Sequence, residues 1–187
     1  MQKIILASQS PRRKQLLEWA EVDFDVIVSN ADESFPPELS FENTAIFIAR
    51  NKAAAIVASH GNQLPVLAAD TIVVCDQKIL GKPTTREEAI EFLTRLSGNV
   101  HQVITGVCIL TEDKAVAFAD ITTVRFHDLT PAQIIFYVDK YLPFDKAGAY
   151  AIQEWIGVVG IKGIEGDFYN VMGLPVSRVL QALAELA

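Results

Sequence analysis

The chain has 187 residues, half of them hydrophobic and 21% charged, enough for one domain with a sizeable core. A net charge of −7 argues against a nucleic-acid-binding surface, which needs a basic face, but not against a small anionic ligand met by locally concentrated cations. The apolar run at the start is too short for a signal core and no stretch approaches membrane-spanning length, so a cytoplasmic protein without membrane contact is expected.

Ile4 to Ala7 form a short apolar run of strand type. Ser10 then reads as an N-cap with Pro11 at the first helical position, and Leu16, Leu17 and Ala20 supply helical spacing. This puts Arg12, Arg13 and Lys14 in the first turn, at the positive end of the helix dipole. Each cation there should cost about 0.3–1 kcal/mol. Either they are solvated charges screened by water, or they serve an anion. The second reading is favoured, because backbone N–H groups, the Ser8 and Ser10 hydroxyls and two guanidinium forks together suit a polyphosphate.

Next, VDFDVIVSN (22–30) alternates Phe24, Val26 and Val28, which predicts a strand with one buried face. Residues 31–40 read as a loop rich in acid and proline, and a long helix is predicted over 41–59, ended by Gly61. VLAADTIVV (66–74) is a continuous apolar strand interrupted by Asp70 and Thr71, from which KILGKP returns. Thr84 and Glu87 predict a capping box for a helix carrying Ala89, Phe92, Leu93 and Leu96 and stopping at Gly98. Strands are predicted over 100–111 and 115–126, and a helix capped by Thr130, Pro131 and Gln133. A Gly-rich stretch from Ala147 to Gly173 and an amphipathic helix over 175–186 complete the chain. Cys75 and Cys108 fall in strand-like runs and read as buried small hydrophobes of a reducing compartment. Long strands mixed with helices indicate an α/β protein with a mixed sheet.

Several charges lie where charge is awkward. Lys52 falls on the apolar stripe Ala45, Ile48, Ala49, Ala53, Ile56 of the long helix, where it either snorkels to water or serves a ligand. Asp70 interrupts an apolar strand, so its carboxylate must be paired or at the mouth of a cleft, a usual place for a general base or metal ligand. If the chain reverses at Asp76–Gln77, cross-strand pairing sets Lys82 opposite Thr71. Glu33, in the loop, could join Asp70 in holding a hard divalent cation such as Mg²⁺, with phosphate oxygens and water. His60, His101 and His127 show no metal-ligand spacing, and there is no GxxxxGK[ST] phosphate loop.

Seven segments in order resemble the Maf family of nucleotide pyrophosphatases: LASQSPRR at the start, ES at 33–34, ARNKA at 49–53, AADTIV at 68–73, LGKP at 80–83, DKAGAYAIQ at 145–153 and GDFYNVMGLP at 166–175. The resemblance covers the whole chain as a single Maf-like domain, 1–187, without a separate linker. It implies a fold like that of the inosine triphosphate pyrophosphatases, a mixed twisted sheet with helices in two lobes around a central cleft. It also implies a reaction dependent on Mg²⁺ or Mn²⁺, in which a nucleoside triphosphate and water give the monophosphate and pyrophosphate. Asp70 matches the family's proposed general base and Arg13, Lys52 and Lys82 its phosphate-binding cations, with Ser8 and Ser10 beside them and Glu33 as a metal ligand. Arg12, Thr71 and Gln153 resemble the subgroup that takes dTTP and UTP, and a Gln amide suits the donor–acceptor edge of uracil or thymine. Modified pyrimidine nucleotides, and a part in arresting cell division, fall within what the resemblance implies, as does a homodimer. The alternatives are the sister subgroup that acts on 7-methyl-GTP, commonly with Gln in place of Thr71, and a nucleotide-binding regulator of septum formation without turnover. On this reading Arg13 and Lys52 serve the ligand and not the fold, so removing either should leave stability level or raised.

Overall fold

In the computed structural model, which describes residues 2–61 and 63–186, the chain forms seven strands, seven α-helices and two 3-10 turns. Strand β1 (Ile4–Leu6) leads into α1 (Pro11–Trp19), β2 (Phe24–Val26) and the long α2 (Phe41–His60). Strands β3 (Val66–Cys75) and β4 (Lys78–Leu80), helix α3 (Arg86–Leu96) and strands β5 (Val100–Leu110) and β6 (Ala115–Phe126) follow. The remainder is α4 (Pro131–Tyr141), 3-10 turns over Pro143–Asp145 and Ala147–Ala149, α5 (Trp155–Gly160), β7 (Ile161–Glu165), α6 (Phe168–Met172) and α7 (Val176–Leu186). The strands make one mixed sheet in the order β2-β1-β3-β5-β6-β7, with β4 paired to β3. β1 runs parallel to β2 and β3, whereas β4 is antiparallel to β3 and β7 to β6. No helix among the described residues is long and apolar enough to cross a membrane.

The chain divides into two compact units. The first comprises Met1–Thr71, Thr105–Asp120 and Gly173–Ala187, the second Ile72–Ile104 and Ile121–Met172. In the first unit, Ala49, Ala53 and Ile56 of α2 pack with Ile5, Ala7, Val66, Ala68 and Cys108 from the strands. Small residues let the helix lie close. A Cβ on Gly106 of β5 would fall 2.2 Å from the Ala45 carbonyl carbon, so only glycine permits that approach. Ser40 caps α2 by accepting from Asn43 N at 3.3 Å. In the second unit α3 packs on α4, with Ala89, Leu93, Leu96, Ile134 and Val138 buried. There His101 of β5, Phe126 of β6 and Tyr150 meet edge-on with ring centroids 5.1–5.5 Å apart.

Two sequence expectations change. The 22–30 strand shrinks to Phe24–Val26, and Val26 and Val28 are exposed, with β2 the outer strand of the sheet. The cap of α3 is Thr85 and not Thr84: its hydroxyl accepts from Glu88 N, while the Glu88 carboxylate takes the Thr84 amide and hydroxyl. The α4 capping box forms as predicted, with Thr130 and Gln133 bonded reciprocally. Cys75 and Cys108 are both free and buried, and burial pushes the Cys108 thiol up to about 11.

Candidate active site

Asp70 stands in a strand whose neighbours Val66 to Ala69 are wholly buried, and its own carboxylate is nearly so. A desolvated carboxylate needs a partner, and α2 supplies one. Lys52 lies on the buried stripe, four residues after Ile48 and three after Ala49, so it faces the sheet. Its Nζ donates to Asp70 Oδ1 at 2.6 Å and meets Glu33 Oε1 at 2.7 Å. Lys52 therefore does not snorkel to solvent. Glu33 comes from the 31–40 loop, where Ser34 N and Oγ both bond the Asp32 carboxylate and hold its pKa below the usual carboxylate range. The Glu33 side chain stays half exposed, so the second ion pair borders solvent.

The first turn of α1 provides the second group. Ser10 is the N-cap as predicted, in an extended conformation, but its hydroxyl caps nothing; its amide instead donates to Ser8 Oγ at 3.1 Å. Arg13 turns inward and is buried. Its Nε donates to the Gly173 carbonyl at 2.7 Å, Nη2 to Thr71 Oγ1 at 3.0 Å and Nη1 to Ser8 Oγ at 3.4 Å. Burial lowers its pKa and the charge of Asp70 raises it, yet a guanidinium keeps its proton at any ordinary pH. Gly173 offers its carbonyl from a backbone with φ +119°, a conformation that other residues rarely adopt. Thr71 Oγ1 is bonded further to Thr105 Oγ1 at 2.9 Å.

These contacts correct the expectation that Arg13 and Lys52 serve only a ligand. Both are held by the fold, Arg13 by a carbonyl 160 residues away and Lys52 by a buried carboxylate. The helix-dipole penalty is outweighed because a buried guanidinium with three protein acceptors gains more than the dipole costs.

The first unit thus brings together Ser8, Arg13, Glu33, Lys52, Asp70 and Thr71, with Ser10 and half-buried Arg12 at the same helix start. Lys82 and Gln153 belong to the second unit. The predicted hairpin register forms, Val73 opposite Leu80 and Cys75 opposite Lys78, around Asp76 and Gln77 at φ +50° and +59°. The ladder stops at Leu80, however, so Lys82 lies outside it, exposed between Gly81 and Pro83. Gln153 is exposed on the turn after Ile152. Sequence reasoning singled out neither Thr105 nor Gly173. Gly173 was signalled by the Gly-Leu-Pro that ends GDFYNVMGLP, whereas Thr105 is an ordinary strand residue and carried no signal.

Glu33 and Asp70 are oxygen donors of the type that Mg²⁺ or Mn²⁺ takes, but here both converge on the Lys52 ammonium, which already stands between them. They do not fit a metal cage built by protein alone, and no cluster of three or more His, Cys, Asp or Glu with such geometry occurs among the described residues.

The family model described as Maf-like protein matches residues 3–186. A protein named dTTP/UTP pyrophosphatase from Parabacteroides distasonis (strain ATCC 8503) is 49% identical over 182 residues, 97% of this chain and 94% of that one. A second of that name, from Bacteroides fragilis (strain YCH46), is 49% identical over 185 residues, 98% and 96% of the two chains. Among solved structures, the Staphylococcus aureus Ham1 protein aligns over 98% of each chain with a TM-score of 0.55 at 19% identity, a likeness of fold alone. With the mixed sheet, it bears out the expected inosine triphosphate pyrophosphatase-like α/β architecture. The segments that resemble a family in the sequence are thus matched along its whole model: the chain belongs to the Maf family.

Proposed function

We propose that this protein hydrolyses dTTP and UTP to the nucleoside monophosphate and pyrophosphate. The observation that carries the reading is Asp70: a strand carboxylate with Oδ1 held by Lys52, set beside the Arg13 guanidinium and the Ser8 hydroxyl. Lys52 orients the carboxylate through one oxygen, which leaves Oδ2 to take the proton of an attacking water. The water oxygen bonds to the α-phosphorus, the bond from that phosphorus to the bridging oxygen breaks, and the electron pair leaves with pyrophosphate. Arg13 keeps two N–H donors beyond its three protein contacts, and with Lys52, Lys82, Ser8 and Ser10 it would meet the charge that builds on the phosphates. Glu33 and Asp70 would hold a divalent cation, which would supply neutralisation of the phosphate charge when bound.

Arg12, Thr71 and Gln153 are the proposed determinants of base choice, with the Gln153 amide meeting the pyrimidine edge. The names carried by the Parabacteroides and Bacteroides relatives support pyrimidine substrates over 7-methyl-GTP. Turnover across nucleoside triphosphates with Mg²⁺ or Mn²⁺ in ¹⁸O-labelled water tests the reading. Pyrophosphate should appear with the label on the monophosphate. Orthophosphate and a diphosphate would place the attack on another phosphorus and sink it.

A further inference from the structure

The second unit buries a lysine that this reaction does not use. Lys146, in the segment DKAGAYAIQ, is 7% exposed, and its Nζ lies 2.7 Å from Asp145 Oδ1 and 3.5 Å from Glu154 Oε1. The other oxygen of Glu154 accepts a short hydrogen bond from the Tyr137 hydroxyl. Tyr137 is fully buried on α4, and its oxygen also accepts from Ala151 N at 3.2 Å. The turn 151–154 is therefore fastened at both ends by one phenol, and at its far end by a lysine as well. Glu154 N bonds the Ala151 carbonyl at 3.1 Å, closing the turn on itself. Between those fastened ends stands exposed Gln153.

A side-chain amide discriminates between bases only when its donor and acceptor arrive at fixed places, because a freely turning amide can swap them. Ala151 and Ile152 are buried and anchor the start of the turn, whereas Gln153 after them is exposed. A buried phenol, a partly exposed carboxylate and a buried ammonium add rigidity at its far end. We propose that Tyr137, Lys146 and Glu154 are positioning residues that hold the 151–154 turn and so set the base discrimination of Gln153. The proposal rests on the reading that Gln153 meets the base.

The test reads the ratio of kcat/KM for UTP to that for CTP, substrates that differ only along the pyrimidine edge in question. Gln153→Ala comes first and should lower the ratio at least tenfold; an unchanged ratio would remove Gln153 from base reading and the proposal with it. If Gln153→Ala behaves as expected, Tyr137→Phe and Glu154→Gln should each lower the ratio about three- to tenfold. The loss should fall on KM for UTP, with kcat within about twofold, and neither change should add anything in the Gln153→Ala background. Lys146→Arg, which keeps the charge, should restore most of what Lys146→Met loses. Equal losses for UTP and CTP, or a lowered Tm with the ratio unchanged, would make the three residues merely structural and overturn the proposal. Glu154→Gln keeps the shape of the turn, so it decides the matter should Tyr137→Phe fail to fold.

Discussion

Lys52 in the first unit and Lys146 in the second are both buried, and each ammonium lies between two carboxylates, one well exposed and one sheltered. The difference lies in what the sheltered carboxylate does with its second oxygen. Asp70 gives Oδ1 to Lys52 at 2.6 Å and keeps Oδ2 out of any hydrogen bond among the described residues. Glu154 gives one oxygen to Lys146 and the other to Tyr137. A carboxylate with an uncommitted oxygen can take a proton, whereas one bonded on both sides can only hold its neighbours still. Two similar ion pairs are thus suited to chemistry in one unit and to bracing in the other.

The largest effect should come from Asp70→Asn, which keeps the side-chain shape and removes the proposed base. We expect kcat to fall by about 10²–10⁴ with nucleotide binding near normal. Glu154→Gln should leave kcat within about twofold, and a comparable collapse there would erase the contrast. Lys52→Met strands the Asp70 carboxylate without a counter-ion in a nearly dry site, so it should cost roughly 3 kcal/mol in urea unfolding. Lys146→Met should cost about 1 kcal/mol, since Glu154 retains Tyr137 and Asp145 faces water. Equal costs would mean that Glu154 depends on its lysine as much as Asp70 does.

Acid sharpens the contrast in the second unit. His101 is buried against Tyr150 and Phe126, and burial lowers its pKa from 6.5 to about 4. The unfolded chain therefore binds this proton more readily than the folded one. Stability is complete above pH 6.5 and falls by about 3 kcal/mol as the pH drops to 4, a loss that His101→Phe should remove. Arg13→Met leaves the Gly173 carbonyl and Thr71 without their donor and should cost about 1–3 kcal/mol in stability. A level or raised Tm would restore the view that this cation serves a ligand alone.

What was legible in the sequence was local. The α2 stripe, the β3 run, the β3–β4 register and the α4 box all formed, because each is fixed by residues within a few positions of one another. The candidate site was legible as a set of residue types in the wrong surroundings: a carboxylate in a strand, a lysine on a stripe. What each of them touches was not. The dipole rule for α1 assumes an exposed side chain, and nothing near Arg13 in sequence announces the Gly173 carbonyl. The brace on Gln153 was hidden for the same reason, since Tyr137 is 17 residues from Glu154 on a helix whose pattern shows only that the ring is buried. The β2 strand failed differently, since alternation marks two faces but not which of them another element will cover.

The missing side chain of Gly106 acts as a spacer of zero thickness. Ala45 rests against it, and Lys52 lies seven residues further along the same helix, two turns on and on the same face. The height of α2 above the sheet at Ala45 therefore sets how far the Lys52 ammonium must reach to Asp70. A single methyl at Gly106 would lift the helix axis or tilt it, and a contact of 2.6 Å tolerates little of either. Position 106 is in that sense a gauge for the Lys52–Asp70 ion pair, calibrating a distance it never touches, and a Gly106→Ala variant would have Asp70 and Lys52 both present and out of adjustment.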